Sequence, residues 1–357
     1  MREGKNSKMS KTMSRRNLLK TFGAVTGAGA LASLTGCEKS HTTSSSETEL
    51  GRPALSRVSA NEEYVWISAN ANLPLFVAHD HPALFQIGKE LGVKVTLAGP
   101  NTVDIPALVA AVEQTTARRP AGMMVVGWEP SALVPAINQA IESGVPVVCV
   151  DGDVPASKRL SFIGTDWYDV GVRQAQAMIR ALKGRRGSVA LLGLIEQYID
   201  QQAFAGFRSV AEKAALTVME PQQDKGNQAE AARVAAAIIQ ATPDLVGMAG
   251  FDSETGPGVG QAIKEAGKAG QLVATCIECE DQHQQLIREG VLTAAIKQKR
   301  ELFTYQGVKA LYEIVHSKLK FTADDVKMGI APIPVYYNTG TFTITRDNVD
   351  LLMRGQL

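Results

Sequence analysis

Residues 145–171, VPVVCVDGDVPASKRLSFIGTDWYDVG, decide the fold of this chain. The valine-rich run at 145–150 is typical of a strand that is buried on both faces of a parallel sheet. The run ends at Asp151, and ligands of open α/β sheets bind at the carboxyl ends of the strands. Further on, Asp166 is predicted to cap a helix that begins near Tyr168, because a short acceptor side chain satisfies free backbone N–H groups there.

Strand and helix signals alternate on both sides of this stretch, which indicates a parallel α/β architecture. The first series places strands near 64–69, 93–97 and 122–126, with helices near 75–91, 105–117 and 131–142. The second series begins near residue 168 and places strands near 188–192, 216–219, 245–249, 272–277 and 293–297. We expect a helix at 301–316 to return to the first half of the molecule and residues 332–337 to cross back.

The run VVCVDGDVPASKRLSFIGTDWYDVG resembles the equivalent stretch of bacterial periplasmic sugar-binding proteins of the ribose/galactose-binding type. The pair Gly206-Phe207 and the run GVL at 290–292, which leads to Gln298, carry the same resemblance. It extends from about Tyr64 to about Val315. The resemblance implies an α/β fold of two Rossmann-like lobes with parallel sheets and a multi-crossover hinge, the type I periplasmic binding protein architecture. The expected lobes are 62–164 plus 299–330, and 165–298 plus 331–357.

The resemblance also implies a function and a set of site residues. Members of this family hold a sugar between two lobes and deliver it to an ABC permease, with no enzymatic reaction and no cofactor. A sugar C–H face stacks on aromatic rings, and its hydroxyls pair with carboxylates and amides. The positions that match the family's ligand-binding and hinge residues are Asn72, Phe76, Trp128, Asp151, Asp153, Gln202, Phe251, Asp252, Glu278 and Gln298.

Several of these positions depart from the family pattern. Trp128 stands where relatives carry a polar contact, Gly152 stands where they often carry arginine, and no arginine occurs near Gln202. These changes favour a pyranose or cyclitol over ribose. Other roles stay open: Phe76 could be a core ring, Trp128 a rim residue, and Asp151 a cap or hinge residue. Asn72 could be a turn residue, and Gln202 could be solvated at a helix start.

The N-terminal residues read as an export signal. SRRNLLK at 14–20 resembles the twin-arginine motif, and the apolar segment 21–34 is too short to span a bilayer well. LTGC at 34–37 resembles a lipobox, which makes Cys37 the expected lipidation site; a plain signal peptide with a chance cysteine is the alternative. We therefore expect a lipoprotein signal at 1–36, a Ser/Thr/Glu-rich tether at 37–61, and a periplasmic or cell-envelope protein that meets the membrane through its anchor only.

Charge and motifs exclude other classes of function. The chain has 37 Lys and Arg against 36 Asp and Glu, but seven of those bases and one acid fall in 1–36, so the remainder carries 30 bases, 35 acids and a net charge of −5. That balance argues against a nucleic-acid partner. The glycines at 256–260 lack the last glycine of a dinucleotide fingerprint, and there is no P-loop and no G-x-S-x-G motif.

The pair Cys276 and Cys279 does not suggest metal or redox chemistry. Thiols three positions apart on a strand point to opposite faces, too far apart to bridge, and zinc would need more ligands than His283 supplies. An exported oxidoreductase is therefore the weaker alternative. A receptor component that presents its ligand to a chemosensor or histidine kinase shares the predicted fold and stays open.

Overall fold

The computed structural model describes residues 62–317, 322, 324–325, 328–330 and 333–352. The expected signal at 1–36, its lipidation site Cys37 and the tether up to residue 61 lie outside these residues. Among the residues described, no helix is long and apolar enough to span a membrane.

The first sheet is parallel throughout. Its strands are β1 (Glu63–Ile67), β2 (Lys94–Ala98), β3 (Gly122–Val126), β4 (Val147–Val150), β5 (Ser161–Gly164) and β12 (Tyr336–Asn338). In the described part of the chain their order is β12-β5-β4-β3-β1-β2, and every neighbouring pair is parallel. Every residue of β3, β4 and β5 is buried, which explains why these strands read as continuous apolar runs.

Helices cover this first sheet. They are a π-helical turn (Phe76–Asp80) that runs into α1 (His81–Leu91), then α2 (Ile105–Arg118), α3 (Pro130–Glu142) and α9 (Glu301–His316). The last of these returns from the second lobe, as the sequence predicted. Close packing of α9 on the sheet depends on small residues, since a Cβ atom on Gly122 would lie 2.8 Å from Cδ2 of Leu311, and one on Gly307 would lie 2.6 Å from Sδ of Met124.

The second sheet repeats the parallel pattern. Its strands are β6 (Ser188–Gly193), β7 (Thr217–Val218), β8 (Gln222–Gln223), β9 (Leu245–Gly250), β10 (Val273–Ile277), β11 (Ala294–Gln298) and β13 (Thr341–Ile344). Within the described ranges the order is β13-β11-β10-β9-β6-β7, and β8 also pairs with β6. The pairing of β13 with β11 is antiparallel, whereas the other pairs are parallel.

Two helices of the second lobe have acceptor side chains as N-terminal caps, those of Asp166 and Asn227. The helices of this lobe are α4 (Trp167–Leu182), α5 (Tyr198–Ala211), a 3-10 turn (Glu212–Ala214), α6 (Gln228–Ala241), α7 (Thr255–Glu265), α8 (Asp281–Arg288) and α10 (Val349–Leu352). Asp166 caps α4 by accepting a 3.0 Å hydrogen bond from the Asp169 N–H, which confirms the predicted cap. The helix begins at Trp167, one residue earlier than expected. Gln174 fixes α4 to the second sheet, because its amide donates to the Gly250 carbonyl at 3.0 Å.

The pair Gly206-Phe207 lies where α5 packs against α4. A Cβ atom on Gly206 would overlap the backbone carbonyl oxygen of Tyr168. The ring of Phe207 is fully buried and packs edge-on against Phe251, with centroids 6.0 Å apart. This motif therefore holds two helices close together and supports a ring beside the inter-lobe cavity.

The chain crosses between the two sheets three times in the residues described: after β5, after β11 and after β12. The last crossing corrects the predicted boundary at 331, since Tyr336–Asn338 belongs to the first sheet and pairs with β5. This strand covers what would otherwise be an open edge of β5, where the Phe162 N–H donates to the Val335 carbonyl at 3.0 Å. The chain then passes to the second sheet at 339–340.

Candidate ligand-binding site

A cavity of about 380 Å³ lies between the two lobes. Asp151 follows β4 of the first sheet and Asp252 follows β9 of the second, and both line this cavity. Glu278 after β10 and Gln298 at the end of β11 line it too. The carboxyl ends of both sheets therefore meet at one cleft, which is the place that open α/β sheets use for ligands.

The structure brings most of the predicted site residues to this cavity. Those that line it are Phe76, Trp128, Asp151, Phe251, Asp252, Glu278 and Gln298. Three others, Asn72, Asp153 and Gln202, do not line it. Asn72 is exposed and donates to Oδ1 of Asn101 at 2.8 Å. Asp153 forms a bidentate ion pair with Arg159, at 2.5 and 2.6 Å.

The third residue that does not line the cavity is Gln202, which lies in the first turns of α5, since this helix begins at Tyr198. Gln197 and Asp200, from the same part of the chain, do line the cavity.

The first lobe supplies an aromatic wall. The rings of Trp128 and Phe76 lie 5.5 Å apart between centroids at an interplanar angle of 33°. Phe76 in turn packs edge-on against Trp66, at 5.2 Å and 85°. The indole N–H of Trp128 donates to Oδ2 of Asp151 at 2.9 Å, and that of Trp167 donates to the Asp151 carbonyl at 2.9 Å. Hydrogen bonds and ring packing thus fix the orientation of this wall.

The glycine that stands where relatives often carry arginine has a structural reason. The Gly127 N–H donates to the Gly152 carbonyl at 3.1 Å, and a Cβ atom on Gly127 would lie 2.5 Å from that oxygen. A Cβ atom on Gly152 would lie 2.6 Å from the Gly127 oxygen. The loops that carry Trp128 and Asp151 therefore approach each other through bare backbone.

Arg300 is a cavity-lining residue that the sequence did not predict. It lies at the crossing from β11 to α9 and is 2% exposed. Its Nε donates to Asp80 Oδ2 at 2.9 Å and its Nη1 to Asp151 Oδ1 at 3.1 Å, while Nη1 lies 3.7 Å from Glu278 Oε1. Its guanidinium carbon lies 4.9 Å from the centroid of Phe76. One buried cation therefore pairs with carboxylates of both lobes, as a buried charge requires.

The second lobe contributes a group of acids, of which the sequence analysis selected Asp252 alone. Oδ2 of Asp200 accepts from the Leu194 N–H at 2.6 Å. The Thr255 hydroxyl lies 2.5 Å from Oδ2 of Asp224 and 2.6 Å from Oδ2 of Asp252. Burial, followed by the charge of Asp252, raises the pKa of Asp224 to about 7 and raises the pKa of Asp200 well above its usual range.

Glu278 and Gln298 form a buried pair at the hinge side of the cavity. The Gln298 amide donates to Oε1 of Glu278 at 2.6 Å. Oε2 of Glu278 and Oε1 of Gln298 are buried and have no partner among the residues described. Burial raises the pKa of Glu278. Unsatisfied buried acceptors are costly and rare in folded proteins, so these two oxygens are candidates to accept hydrogen bonds from a ligand.

A second inter-lobe contact lies outside the cavity. Nε2 of His79, in the first lobe, pairs with Oε1 of Glu280 of the second lobe at 2.9 Å, and its Nδ1 pairs with Oε1 of Glu301 at 2.6 Å. Burial lowers the pKa of His79, but the hydrogen bonds to the two glutamates outweigh this and raise it to about 9.

Cys276 and Cys279 are buried free thiols. In the described ranges, no group of three or more His, Cys, Asp or Glu residues is placed to hold a metal ion.

Comparisons with known proteins agree with this geometry. The ribose import binding protein of Bacillus subtilis is 23% identical over 248 residues, which cover 69% of this chain and 79% of the relative. The D-ribose/D-allose-binding protein of Pseudomonas aeruginosa is 21% identical over 238 residues, 65% of this chain and 74% of the relative.

Solved structures agree in the same way. The sugar-binding protein of a Bacillus halodurans sugar ABC transporter superimposes with a TM-score of 0.73 at 26% identity, over 81% of this chain and 99% of that one. The arabinose-binding protein AraP of Geobacillus stearothermophilus gives 0.70 at 28% identity, over 82% and 99%. The fold is that of the type I periplasmic binding proteins. The family model described as the periplasmic binding protein domain matches residues 65–319, and the chain belongs to that family.

Proposed function

We propose that this protein is an extracytoplasmic solute-binding protein, which captures a sugar or polyol between its lobes and delivers it to an ABC permease. The observation that carries the proposal is the inter-lobe cavity, where strand ends of both sheets present aromatic faces and carboxylates together. A sugar needs both surfaces, since its C–H face is apolar and its hydroxyls donate and accept hydrogen bonds. The relatives named for ribose, allose and arabinose support this class of ligand.

Within that class, the aromatic wall favours a pyranose or cyclitol. Trp128 and Phe76 lie side by side at the cavity, and their combined face suits a continuous row of C–H groups. Phe251 lines the cavity from the second lobe and offers a second apolar surface. A small, highly polar furanose would leave part of this area unmatched.

In this function the protein binds its ligand and the two lobes close around it, with no covalent step. A ligand that contacts Asp151 of the first lobe and Asp252 of the second is bound best when the lobes are close together. Its differential affinity for that state shifts the population toward it. The permease then recognises the closed form.

A thermal-shift screen of the purified protein against pentoses, hexoses and polyols tests this function. A ligand that binds only the native state adds about 2.7 kcal/mol of stability at a hundred times its Kd. We expect at least one pyranose or cyclitol to raise Tm in proportion to the logarithm of its concentration. A screen in which no sugar or polyol raises Tm would contradict the proposal.

The lipid anchor has its own test. We infer that Cys37 is lipidated after twin-arginine export, because the LTGC run follows the apolar segment directly. Cys37→Ala should move the protein from the membrane fraction to the soluble fraction of the cell envelope. Lys replacement of Arg15 and Arg16 should retain the precursor inside the cell. Unchanged membrane association of the Cys37→Ala variant would argue for another mode of attachment.

A further inference from the structure

The wall that the second lobe gives to the cavity carries an excess of negative groups. Asp200, Asp252 and Glu254 line the cavity, and Asp224 lies fully buried behind them. In the part of the chain that the structure describes, none of these four carboxylates forms an ion pair with a lysine, arginine or histidine. Buried carboxylates without a cationic partner are costly.

Hydrogen bonding balances this wall only in part. Backbone N–H groups donate to Oδ2 of Asp200 and to Oδ1 of both Asp224 and Asp252, but they bring no full positive charge. The Thr255 hydroxyl makes short contacts of 2.5 and 2.6 Å to Asp224 and Asp252. A hydroxyl has one hydrogen to donate, so only one of the two contacts is a donation from Thr255. The other contact needs a proton on the carboxyl group. The protein alone therefore holds at least one proton on this wall, in line with the raised pKa values of Asp200 and Asp224.

Two further acceptors of the cavity lack a donor. Oε2 of Glu278 and Oε1 of Gln298 have no partner among the described residues, although these side chains are only 2% and 1% exposed and line the cavity. The donors beside them are already engaged, since Trp128 and Arg300 donate to Asp151 and the Gln298 amide donates to Glu278. Five carboxylates line the cavity against two cations, Lys225 and Arg300, so a complementary ligand brings donors and positive charge.

An ammonium group supplies both, because it has three donors, a positive charge and no acceptor. A neutral hydroxyl brings one donor and two lone pairs, and those lone pairs would face carboxylate oxygens. Phe251 lines the cavity next to these acids, and an aromatic face also attracts a cation. We propose that the wall formed by Asp200, Asp252 and Glu254 binds an ammonium group, and that the ligand is an amino-substituted sugar or polyol. This inference rests on the proposed sugar-binding function and narrows it.

Matched sets of probes test the charge directly. D-glucosamine, D-glucose and N-acetyl-D-glucosamine share one ring and differ in the presence of an ammonium group, and the galactose and mannose sets offer the same comparison. Titration calorimetry on the purified protein at pH 6.5 should give at least one amine that binds ten-fold or more tightly than both neutral counterparts. Raising the salt concentration should weaken the amine and leave the neutral sugars unchanged.

Variants locate the ammonium group. Asp200→Asn and Glu254→Gln keep the size of each side chain and remove its charge, and each should reduce the preference for the amine five-fold or more. The matched control is Glu265→Gln, because Glu265 is exposed at the C-terminal end of α7. This variant should leave the preference for the amine unchanged. Neutral sugars that bind as tightly as their amines would overturn the inference and leave the proposed function standing. Binding of none of these compounds would overturn the inference and count against sugar binding itself.

Discussion

At the scale of the residue, the sequence predicted the cavity residues that follow strands and missed those placed by contacts between distant parts of the chain. Asp151 and Asp252 directly follow buried strands, and the edge where parallel strands end is known from the pattern alone. Arg300 pairs with Asp80 across 220 residues of sequence, and no local pattern connects them. Its position two residues after Gln298 was the available signal, since the hinge residue marks a crossing between lobes.

Trp128 gives the first prediction at this scale. Trp128→Ala removes a nearly buried ring from the cavity wall and should weaken binding of the true ligand by about 1–3 kcal/mol. Trp128→Phe keeps a stacking face but loses the donation to Asp151, so its loss should be smaller. Calorimetry on both variants measures the difference. Wild-type affinity in both would show that Trp128 is a rim residue and would remove the support for a pyranose.

Arg300 gives the second prediction at this scale. Arg300→Met leaves Asp80 and Asp151 buried without their cation, and breaking a buried pair in this way costs about 3–5 kcal/mol. Arg173→Met removes an exposed pair with Asp169 and should cost less than about 1 kcal/mol. Urea denaturation measures both free energies of unfolding. Equal losses in the two variants would contradict a special role for the buried network.

At the scale of the element, the sequence predicted the strands that carry apolar runs and missed a short strand that carries none. All five residues of β3 are buried, and its predicted bounds match the structure. The strand Tyr336–Asn338 has only three residues and is largely exposed, so nothing in its apolar pattern assigns it to a sheet. It forms because the edge of β5 is open for pairing, and this tertiary contact cannot be inferred from the strand propensity of the segment alone.

The contact between α4 and α5 gives a prediction in which two effects oppose each other. Gly206→Ala raises helix propensity, which alone would add about 1 kcal/mol of stability. The new Cβ atom meets the Tyr168 backbone carbonyl, which cannot rotate away, and overpacking typically costs about 1–3 kcal/mol. We expect a net loss of stability in urea denaturation.

Gly260→Ala is the control for this prediction. Its Cβ atom would lie 2.7 Å from Cδ1 of Leu286, the far end of a flexible side chain that can adjust. The loss should therefore be smaller than for Gly206→Ala, and the variant could be as stable as the wild type. A Gly206→Ala protein more stable than the wild type would show that the two helices separate without cost.

At the scale of the whole molecule, the two lobes are joined by ion pairs as well as by the three chain crossings. Arg300 reaches Glu278 inside the cleft, and His79 reaches Glu280 outside it. The two-lobe fold followed from alternating signals and from the resemblance of residues 145–171 to a known family. The ionic contacts did not, because no local sequence pattern connects Arg300 with Glu278 or His79 with Glu280.

These contacts predict how stability depends on pH. The pKa of His79 is raised from 6.5 to about 9, so its contribution is complete below pH 6.5 and is lost as the pH rises through about 9. Burial raises the pKa of Glu280, but its bond to His79 outweighs this and lowers it to about 2, so that contribution is lost only as the pH falls from 4.5 through about 2. Asp224, with a pKa raised from 3.8 to about 7, loses its contribution as the pH rises across that interval.

Stability should therefore decrease from pH 5 to pH 9. Asp80 and Asp224, whose pKa values burial raises to about 7, act mainly below pH 7, and His79 acts mainly above it. A shift of one pKa unit corresponds to about 1.4 kcal/mol, and partial exposure of the histidine pair reduces its share to about 1–3 kcal/mol. Scanning calorimetry at pH 5, 7 and 9 measures the slope. Asp224→Asn should flatten the slope between pH 5 and pH 7 in part, since Asp80 still titrates there, and His79→Gln should flatten the slope between pH 7 and pH 9. If His79→Gln follows the wild-type slope between pH 7 and pH 9, the inter-lobe histidine contributes nothing to the stability of the closed arrangement.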